Sequence, residues 1–355
     1  MAQAEAFRYV FGPVLSGRLG RSLGLDLLGR RICSMNCVYC ESGPLEQLTL
    51  ARRAYVPAAE LLGELRRWEA ARRAAGAALP EVVTLGGLGE PTLNSELPQI
   101  IAGAREILPG VPVAVLTNAS LMPDPQVRAE LTAADVVLPS LDSLVPGDFA
   151  RVNRAHPGLD PKDIADGILA FRKDSRAGHT RLFLEVLLVA GVNDSEQGLE
   201  LMAAFCNRLQ PDRVDVVTLS RPGTEASARA VDAAMLSRWR ERLGGHSAQT
   251  GSTAQAGERG NAPERAEAAA GSRLAEREKN GHKQDGGLRL EELRPRLLAS
   301  LARRPQTGAQ LAEALLADQD MVRAVLAELL GAGRVSVRQQ DGQDYYQART
   351  DQPTP

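Results

Sequence analysis

From about residue 22 to residue 219 the chain repeats one pattern: a short apolar run, a turn, then a longer stretch with apolar residues at helical spacing. The runs fall at 23–28, 81–85, 111–116, 135–139, 181–189 and 213–219. Five of the six are near-continuous and rich in Val and Leu, as parallel strands buried on both faces must be. Helical spacing falls at 58–75, 94–108, 125–133, 161–173 and 195–209. Asn94 and Ser195 stand where N-caps are expected, with Glu96 and Glu196 placing acid in the first turns. Such alternation predicts an α/β chain with a parallel sheet and helices outside it. Six units fall short of the eight that close a barrel. The expected fold is therefore a partial (β/α)6 barrel, parallel and open on one side, with a further helix over 229–243.

Composition changes sharply after that helix. Between residues 245 and 286 the only large aliphatic residue is Leu274, and there is no aromatic. Such a stretch buries too little apolar area to offset its ordering entropy, so it reads as a disordered linker. Helical spacing returns over 290–303, 307–316 and 318–330, the last ended by Gly331 and Gly333. Two short strands, 334–338 and 345–347, then flank the turn signal Asp341-Gly342. Three helices followed by a hairpin is the winged-helix order. The expected division is a barrel domain over 1–244, a linker over 245–286, a winged-helix-like domain over 287–348 and a disordered tail over 349–355.

The chain has 355 residues and a formal net charge of −2, from 42 basic and 44 acidic residues. Near-neutrality gives no support to broad electrostatic capture of nucleic acid or membrane. The start of the chain lacks a basic segment followed by an apolar run, so no signal peptide is expected. The most apolar stretch, 182–192, is short and carries Glu185, which argues against a membrane span. Four cysteines, three of them clustered, fit metal binding in a reducing cytoplasm better than a disulfide scaffold.

The cluster is Cys33, Cys37 and Cys40, in Cys-Ser-Met-Asn-Cys-Val-Tyr-Cys. A structural zinc site or an ordinary electron-transfer cluster takes four protein ligands. No histidine lies near the triplet, and Cys206, the fourth cysteine, sits on a predicted helix among Met202, Ala203, Phe205 and Leu209, where it reads as a core thiol. Three thiolates on a cubane cluster leave one iron open, the logic by which a catalytic zinc keeps an open position.

CxxxCxxC after a first strand, with Tyr39 before the last cysteine, resembles the signature of the radical S-adenosylmethionine (SAM) superfamily. Further motifs stand in order behind it. Gly86-Gly87-Leu88-Gly89-Glu90-Pro91 is similar to that superfamily's Gly-Gly-Glu motif. Thr117-Asn118, Ser140-Leu141-Asp142, Gly191-Val192-Asn193-Asp194 and Arg221-Pro222-Gly223 each follow a predicted strand, at the end where barrel active sites are built. The run from Phe11 to Gly24 resembles the subgroup related to wyosine-forming tRNA enzymes, although Gly17 stands where that subgroup usually has Arg. The resemblance spans about residues 8–224.

The resemblance implies a 4Fe–4S cluster held by Cys33, Cys37 and Cys40, with S-adenosyl-L-methionine on the open iron. One electron, from a flavodoxin- or ferredoxin-like donor, would cleave SAM to methionine and a 5′-deoxyadenosyl radical that abstracts hydrogen from substrate. By motif position Gly86, Gly87 and Gly89 would let backbone approach SAM, and Glu90 would accept from its ammonium group. Asn118, Ser140 and Asp142 would face the ribose or the methionyl carboxylate, Asn193 the ribose or adenine, and Tyr39 the adenine side. On their own the Gly-rich loop also reads as a plain turn, and Asn, Asp and Ser as turn caps. Arg8, Arg18 and Arg21 could bind an anion near the mouth. No substrate-side catalytic residue is assigned.

With no cysteine group left for a second cluster, and with Lys162 and Lys173 on a predicted helix, the pyruvate-using chemistry of wyosine relatives is not expected. The expected substrate is a macromolecule, RNA or protein. An activase making a glycyl radical on a partner is one alternative, and a cluster-based sensor binding DNA through the winged helix is another. Against DNA, residues 288–348 carry eight Arg and eight acidic residues, 8 − 8 = 0, and the expected recognition helix over 318–330 has one Arg against three acids, 1 − 3 = −2.

Overall fold

A computed structural model describes residues 7–176, 179–244, 290–315, 317–340 and 342–349. The expected linker over 245–286 lies outside the described residues, as do Asp341 and all of the expected tail except Arg349. Its centre is a seven-stranded sheet. The strands in spatial order are β1 (Val10–Ser16), β2 (Gly20–Asp26), β5 (Val82–Gly86), β6 (Val113–Thr117), β7 (Val136–Pro139), β8 (Arg181–Leu188) and β9 (Arg213–Thr218). From β2 to β9 all neighbours run parallel. Two short strands outside it, β3 (Ile32–Cys33) and β4 (Gln47–Leu48), pair with each other.

Strand periodicity of two explains the layers. Val83, Leu85, Val113, Val115, Val137, Leu184 and Val186 face outward into the large core against the helices. Their alternates Val82, Ala114, Val136, Leu138 and Phe183 form a separate apolar cluster inside the curve of the sheet. Burial on both faces is what the near-continuous apolar runs require, each fully buried Leu or Val contributing about 1.5–3 kcal/mol. The covering helices are α1 (Ala58–Ala74), α2 (Leu97–Ile107), α3 (Pro125–Leu131), α4 (Pro146–Asn153), α5 (Pro161–Arg176), α6 (Glu196–Leu209) and α7 (Ala233–Leu243).

Three features differ from expectation. Strand β1 was not expected, because Gly12-Pro13 breaks its alternation; it survives as an antiparallel edge strand whose register shifts between Phe11 and Val14. Helix α4 was also missed: it is only eight residues long, begins with Pro146, and buries Phe149 and Val152. Asn94 does not cap α2. It ends a short 3-10 turn, Pro91–Leu93, and its buried amide donates to Leu27 O at 2.8 Å and Val56 O at 2.9 Å. Ser195 does cap α6, accepting from Gly198 N at 3.1 Å.

The sheet is open: β1 and β9 end it and do not pair. Beyond the linker come α8 (Leu290–Leu301), α9 (Gly308–Leu315), α10 (Gln319–Gly331) and an antiparallel hairpin, β10 (Val335–Gln340) with β11 (Gln343–Ala348). Leu293, Leu297, Leu311, Val325 and Leu329 form a second, separate core there. This C-terminal unit touches β1 on one side and the loop that follows β9 on the other. On the β1 side Arg303 donates to Arg8 O at 2.7 Å and stacks 4.1 Å from the Phe11 ring centroid. On the β9 side Tyr345 Oη donates to Ser220 O at 3.0 Å, and Arg338 to Gly223 O at 3.0 Å. Among the described residues, no helix is long and apolar enough to cross a membrane.

Candidate functional site

The loop carrying the three cysteines lies over the C-terminal ends of the strands. Two backbone bonds and one side-chain bond fix it: Asn36 N donates to Asn153 O at 3.0 Å, Val38 N to Val152 O at 3.0 Å, and the Thr224 hydroxyl to Cys40 O at 2.9 Å. Cys33, Cys37 and Cys40 are all half-buried and line one cleft of about 210 Å³. The same cleft is lined by Gly87, Gly89, Glu90, Asn118, Ser140, Glu185, Arg18 and Arg31. A larger groove of about 490 Å³ lies elsewhere, lined by Asp124, Asp160, Asp163 and Asp166, and contains none of the cysteines.

The electrostatics of the triplet favour a cationic guest. Burial, then the Glu90 charge, pushes the Cys33 thiol up to about 12. Burial and then Asp142 hold Cys37 well above the ordinary range, and burial raises Cys40. Thiols kept neutral in this way ionise when a multivalent metal centre supplies positive charge. Amide donors already point at two sulfurs: Asn118 Nδ2 lies 3.4 Å from Cys33 Sγ, and Asn153 Nδ2 lies 3.5 Å from Cys37 Sγ. Among the described residues, no three His, Cys, Asp or Glu are grouped to hold a single metal ion.

The Gly-rich loop is pressed against the cysteine strand. A Cβ on Gly89 would stand 1.7 Å from Ile32 O, and Gly87 has φ +115°, which L side chains rarely adopt. Glu90 is 2% exposed. Its Oε1 accepts from Thr92 N at 3.0 Å, Thr92 Oγ1 at 2.6 Å and Thr117 Oγ1 at 2.7 Å; its Oε2 accepts from Asn118 N at 2.7 Å. Burial nevertheless raises its pKa. One lone pair of Oε2 remains for a further donor.

The other expected residues sit less openly. Gly86 ends β5 and does not line the cleft. Tyr39, Asp142 and Asn193 lie behind the cleft. Asp142 accepts from Tyr39 Oη at 2.5 Å, Asn153 Nδ2 at 2.6 Å and Leu187 N at 3.0 Å. Burial raises both the Asp142 carboxyl and the Tyr39 phenol. Asn193 is fully buried: its oxygen accepts from Val189 N at 2.7 Å, and its amide donates to Asp142 O and Leu187 O.

Sequence reasoning missed Asn153, Glu185 and Thr117 Oγ1 as parts of the site. Asn153 lies on the unexpected α4, and Glu185 is one inward position of an otherwise apolar strand; a lone acid in such a run was the available signal. Of the three N-terminal arginines only Arg18 reaches the cleft, pairing with Glu185. Arg21 is bound to Leu79 O and Glu81 in an exposed setting, and Arg8 lies over the Tyr9 ring. Cys206 is buried in the large core and does not line the cleft. Lys162 and Lys173 both fall on α5.

The family model described as the radical SAM superfamily matches residues 29–201. A UPF0026 protein of Helicobacter pylori (strain J99) is 36% identical over 62% of this chain and 69% of its own length. A UPF0026 protein of Synechocystis sp. is 42% identical over 47% of this chain and 61% of its own length. The chain belongs to the radical SAM superfamily and to the proteins named UPF0026. It covers a smaller share, 32%, of another curated relative. Among solved structures, a radical SAM methyltransferase from Sphaerobacter thermophilus has a TM-score of 0.49 at 18% identity, covering 64% of each chain. Family membership implies a 4Fe–4S cluster and SAM, and the grouped thiols, donors and backbone cradle fit them.

Proposed function

We propose that this protein is a radical SAM enzyme, with Cys33, Cys37 and Cys40 as cluster ligands, acting on a macromolecular substrate, RNA or protein. The observation that carries the reading is that the three thiols share one cleft with the Gly87–Glu90 loop at the C-terminal ends of a parallel sheet. When bound, the cluster and SAM supply one-electron carbon–sulfur cleavage and a 5′-deoxyadenosyl radical. The protein's part is to bind, orient and exclude water.

In this reading the backbone of Gly87 and Gly89 approaches SAM closely, and Glu90 accepts from its ammonium group through the unused lone pair. Thr92, Thr117 and Asn118 hold the Glu90 carboxylate in place. Ser140 faces the ligand from the cleft wall. Tyr39, Asp142 and Asn193 act from behind, holding the strand ends and the Cys37 turn rather than touching the ligand. The two amides, Asn118 and Asn153, orient toward sulfur and tune its charge. The N-terminal run that resembles wyosine-related proteins forms the β1–β2 hairpin, whose turn puts Arg18 in the cleft.

We read the C-terminal unit as a winged helix that presents substrate rather than DNA. Its hairpin residues Arg338 and Tyr345 are engaged with the barrel, and α10 carries net negative charge. The domain limits, the cytoplasmic setting and a flavodoxin- or ferredoxin-like electron donor belong to the same proposal.

Anaerobic reconstitution with iron and sulfide, followed by dithionite and SAM, should yield 5′-deoxyadenosine, and Cys37→Ala should abolish it. Purified protein that holds zinc and takes up no iron would sink the reading.

A further inference from the structure

The loop that follows β9, residues 220–225, is bonded to two parts of the molecule at once. Toward the site it holds the cysteine turn: the Thr224 hydroxyl donates to Cys40 O at 2.9 Å, and Glu225 N donates to Val38 O at 3.0 Å. Gly223 packs so closely on this turn that an added Cβ would stand 2.7 Å from Tyr39 Cα. Toward the C-terminal unit the same loop accepts from the hairpin: Tyr345 Oη donates to Ser220 O at 3.0 Å, and Arg338 to Gly223 O at 3.0 Å. Arg221, between those two carbonyls, pairs with Glu41 of the cysteine loop at 3.2 Å, and its Nε donates to Gln310 Oε1 of α9 at 3.4 Å.

An irregular loop has no ladder of its own, so its conformation is set by the groups that satisfy its carbonyls. Here two of those groups come from a unit whose apolar core is separate from that of the barrel. The three cysteines depend on the loop unequally. Cys33 lies in β3, which pairs with β4, and Cys37 is flanked by the bonds of Asn36 and Val38 to α4. Cys40 N bonds within the turn, to Cys37 O at 3.1 Å, whereas Cys40 O is held by Thr224. Movement of residues 220–225 would therefore reach the thiols first at Cys40.

We propose that the C-terminal hairpin, acting through residues 220–225, positions the Cys40 end of the ligand loop, so that docking of the C-terminal unit and retention of the cluster are coupled. Tyr345 and Arg338 are then positioning residues, remote from the reacting atoms. The coupling is reciprocal: filling the three-thiol site tightens docking by the factor by which docking tightens the site. This rests on the reading of the triplet as cluster ligands and gives the C-terminal unit a part in the site besides presenting substrate.

The test uses full-length protein reconstituted anaerobically with iron and sulfide. Tyr345→Phe combined with Arg338→Met removes both hairpin donors and keeps the ring and the aliphatic stem. This pair should load iron but release it to a chelator about five-fold faster than wild type or more, as the loss of two net hydrogen bonds implies. Thr224→Val should also speed release, and Thr224→Ser, which keeps the hydroxyl, should restore the wild-type rate. Adding Thr224→Val to the hairpin pair should change little further, because both act along one path. Arg294→Gln, which breaks an exposed pair with Glu328 inside the C-terminal unit, should leave release unchanged. Hydrogen exchange of the metal-free protein supplies a second readout: amides across 36–41 should exchange faster in the hairpin pair and not in Arg294→Gln. Release at the wild-type rate overturns the proposal, as do effects of the hairpin pair and Thr224→Val that multiply in full. Failure of the wild type to take up iron would defeat the cluster reading; unchanged exchange across 36–41 would overturn the positioning role by itself.

Discussion

Arg303 of the C-terminal unit stands 3.5 Å from Asp26, the last residue of β2, across 277 positions of sequence (303 − 26). Asp26 is 1% exposed and accepts through Oδ1 from Leu28 N at 3.1 Å, Gly29 N at 3.2 Å and Leu88 N at 3.4 Å. One carboxylate thus ties the C-terminal unit to the Gly-rich loop beside the cysteines.

Removing the cation should be costly. Arg303→Met leaves Asp26 buried with backbone donors alone, and about 2–4 kcal/mol of stability should be lost. Urea unfolding measures the loss, and hydrogen exchange should quicken across 290–349. Unchanged exchange there would mean that the pair does not hold the unit.

The thiols should divide three to one. Cys33→Ala, Cys37→Ala and Cys40→Ala should each take up little iron on anaerobic reconstitution, whereas Cys206→Ala should load like wild type. Iron and sulfide assays per chain decide this; loss of loading in Cys206→Ala would return that residue to the ligand set.

Glycine substitutions should act with opposite signs. Gly89→Ala drives a Cβ into Ile32 O, which is backbone and cannot move aside, so about 3 kcal/mol or more should be lost. Gly63 lies within α1 with nothing within 4 Å of an added Cβ, and Gly63→Ala should gain about 0.5–1 kcal/mol. Thermal or urea denaturation of both variants checks the pair.

Alkaline pH should weaken the metal-free protein. Burial carries the Cys206 thiol from an ordinary 9.0 up to about 12. Above pH 9.0 the unfolded thiol ionises while the folded one stays protonated, so the unfolded state binds fewer protons and stability falls toward pH 12. At pH 10 the loss from this one group is about 1.4 kcal/mol. The difference in unfolding free energy, from urea melts at pH 8 and pH 10, should shrink by that amount in Cys206→Ala, and an unchanged difference would refute the assignment.

The alternation of apolar runs and helices carried the parallel sheet, because strands buried on both faces leave no choice but continuous Val and Leu. The cysteine triplet and the Gly-rich loop were legible for a similar reason: their function rests on local spacing and on backbone that only glycine allows. Placement behind or within the cleft was not legible. Asn118, Asp142 and Asn193 all follow strand ends, yet only Asn118 lines the cleft, because Asp142 and Asn193 spend their polar atoms on Tyr39, Asn153 and the end of β8. Helix α4 and strand β1 escaped because a short helix and a Pro-interrupted edge strand carry little periodicity of their own.

By itself the sequence determined the sheet, its order of units and the vacancy at a three-cysteine site, since each is set by residues close together in the chain. The tertiary structure alone decided which arginines matter. Arg8, Arg18, Arg21, Arg221 and Arg303 look alike in sequence; folding gives Arg303 a buried carboxylate, Arg21 a surface one, and Arg18 one in the wall of the cleft. Charge is a property of the residue, but its compensation depends on neighbours that the chain brings together from hundreds of positions away.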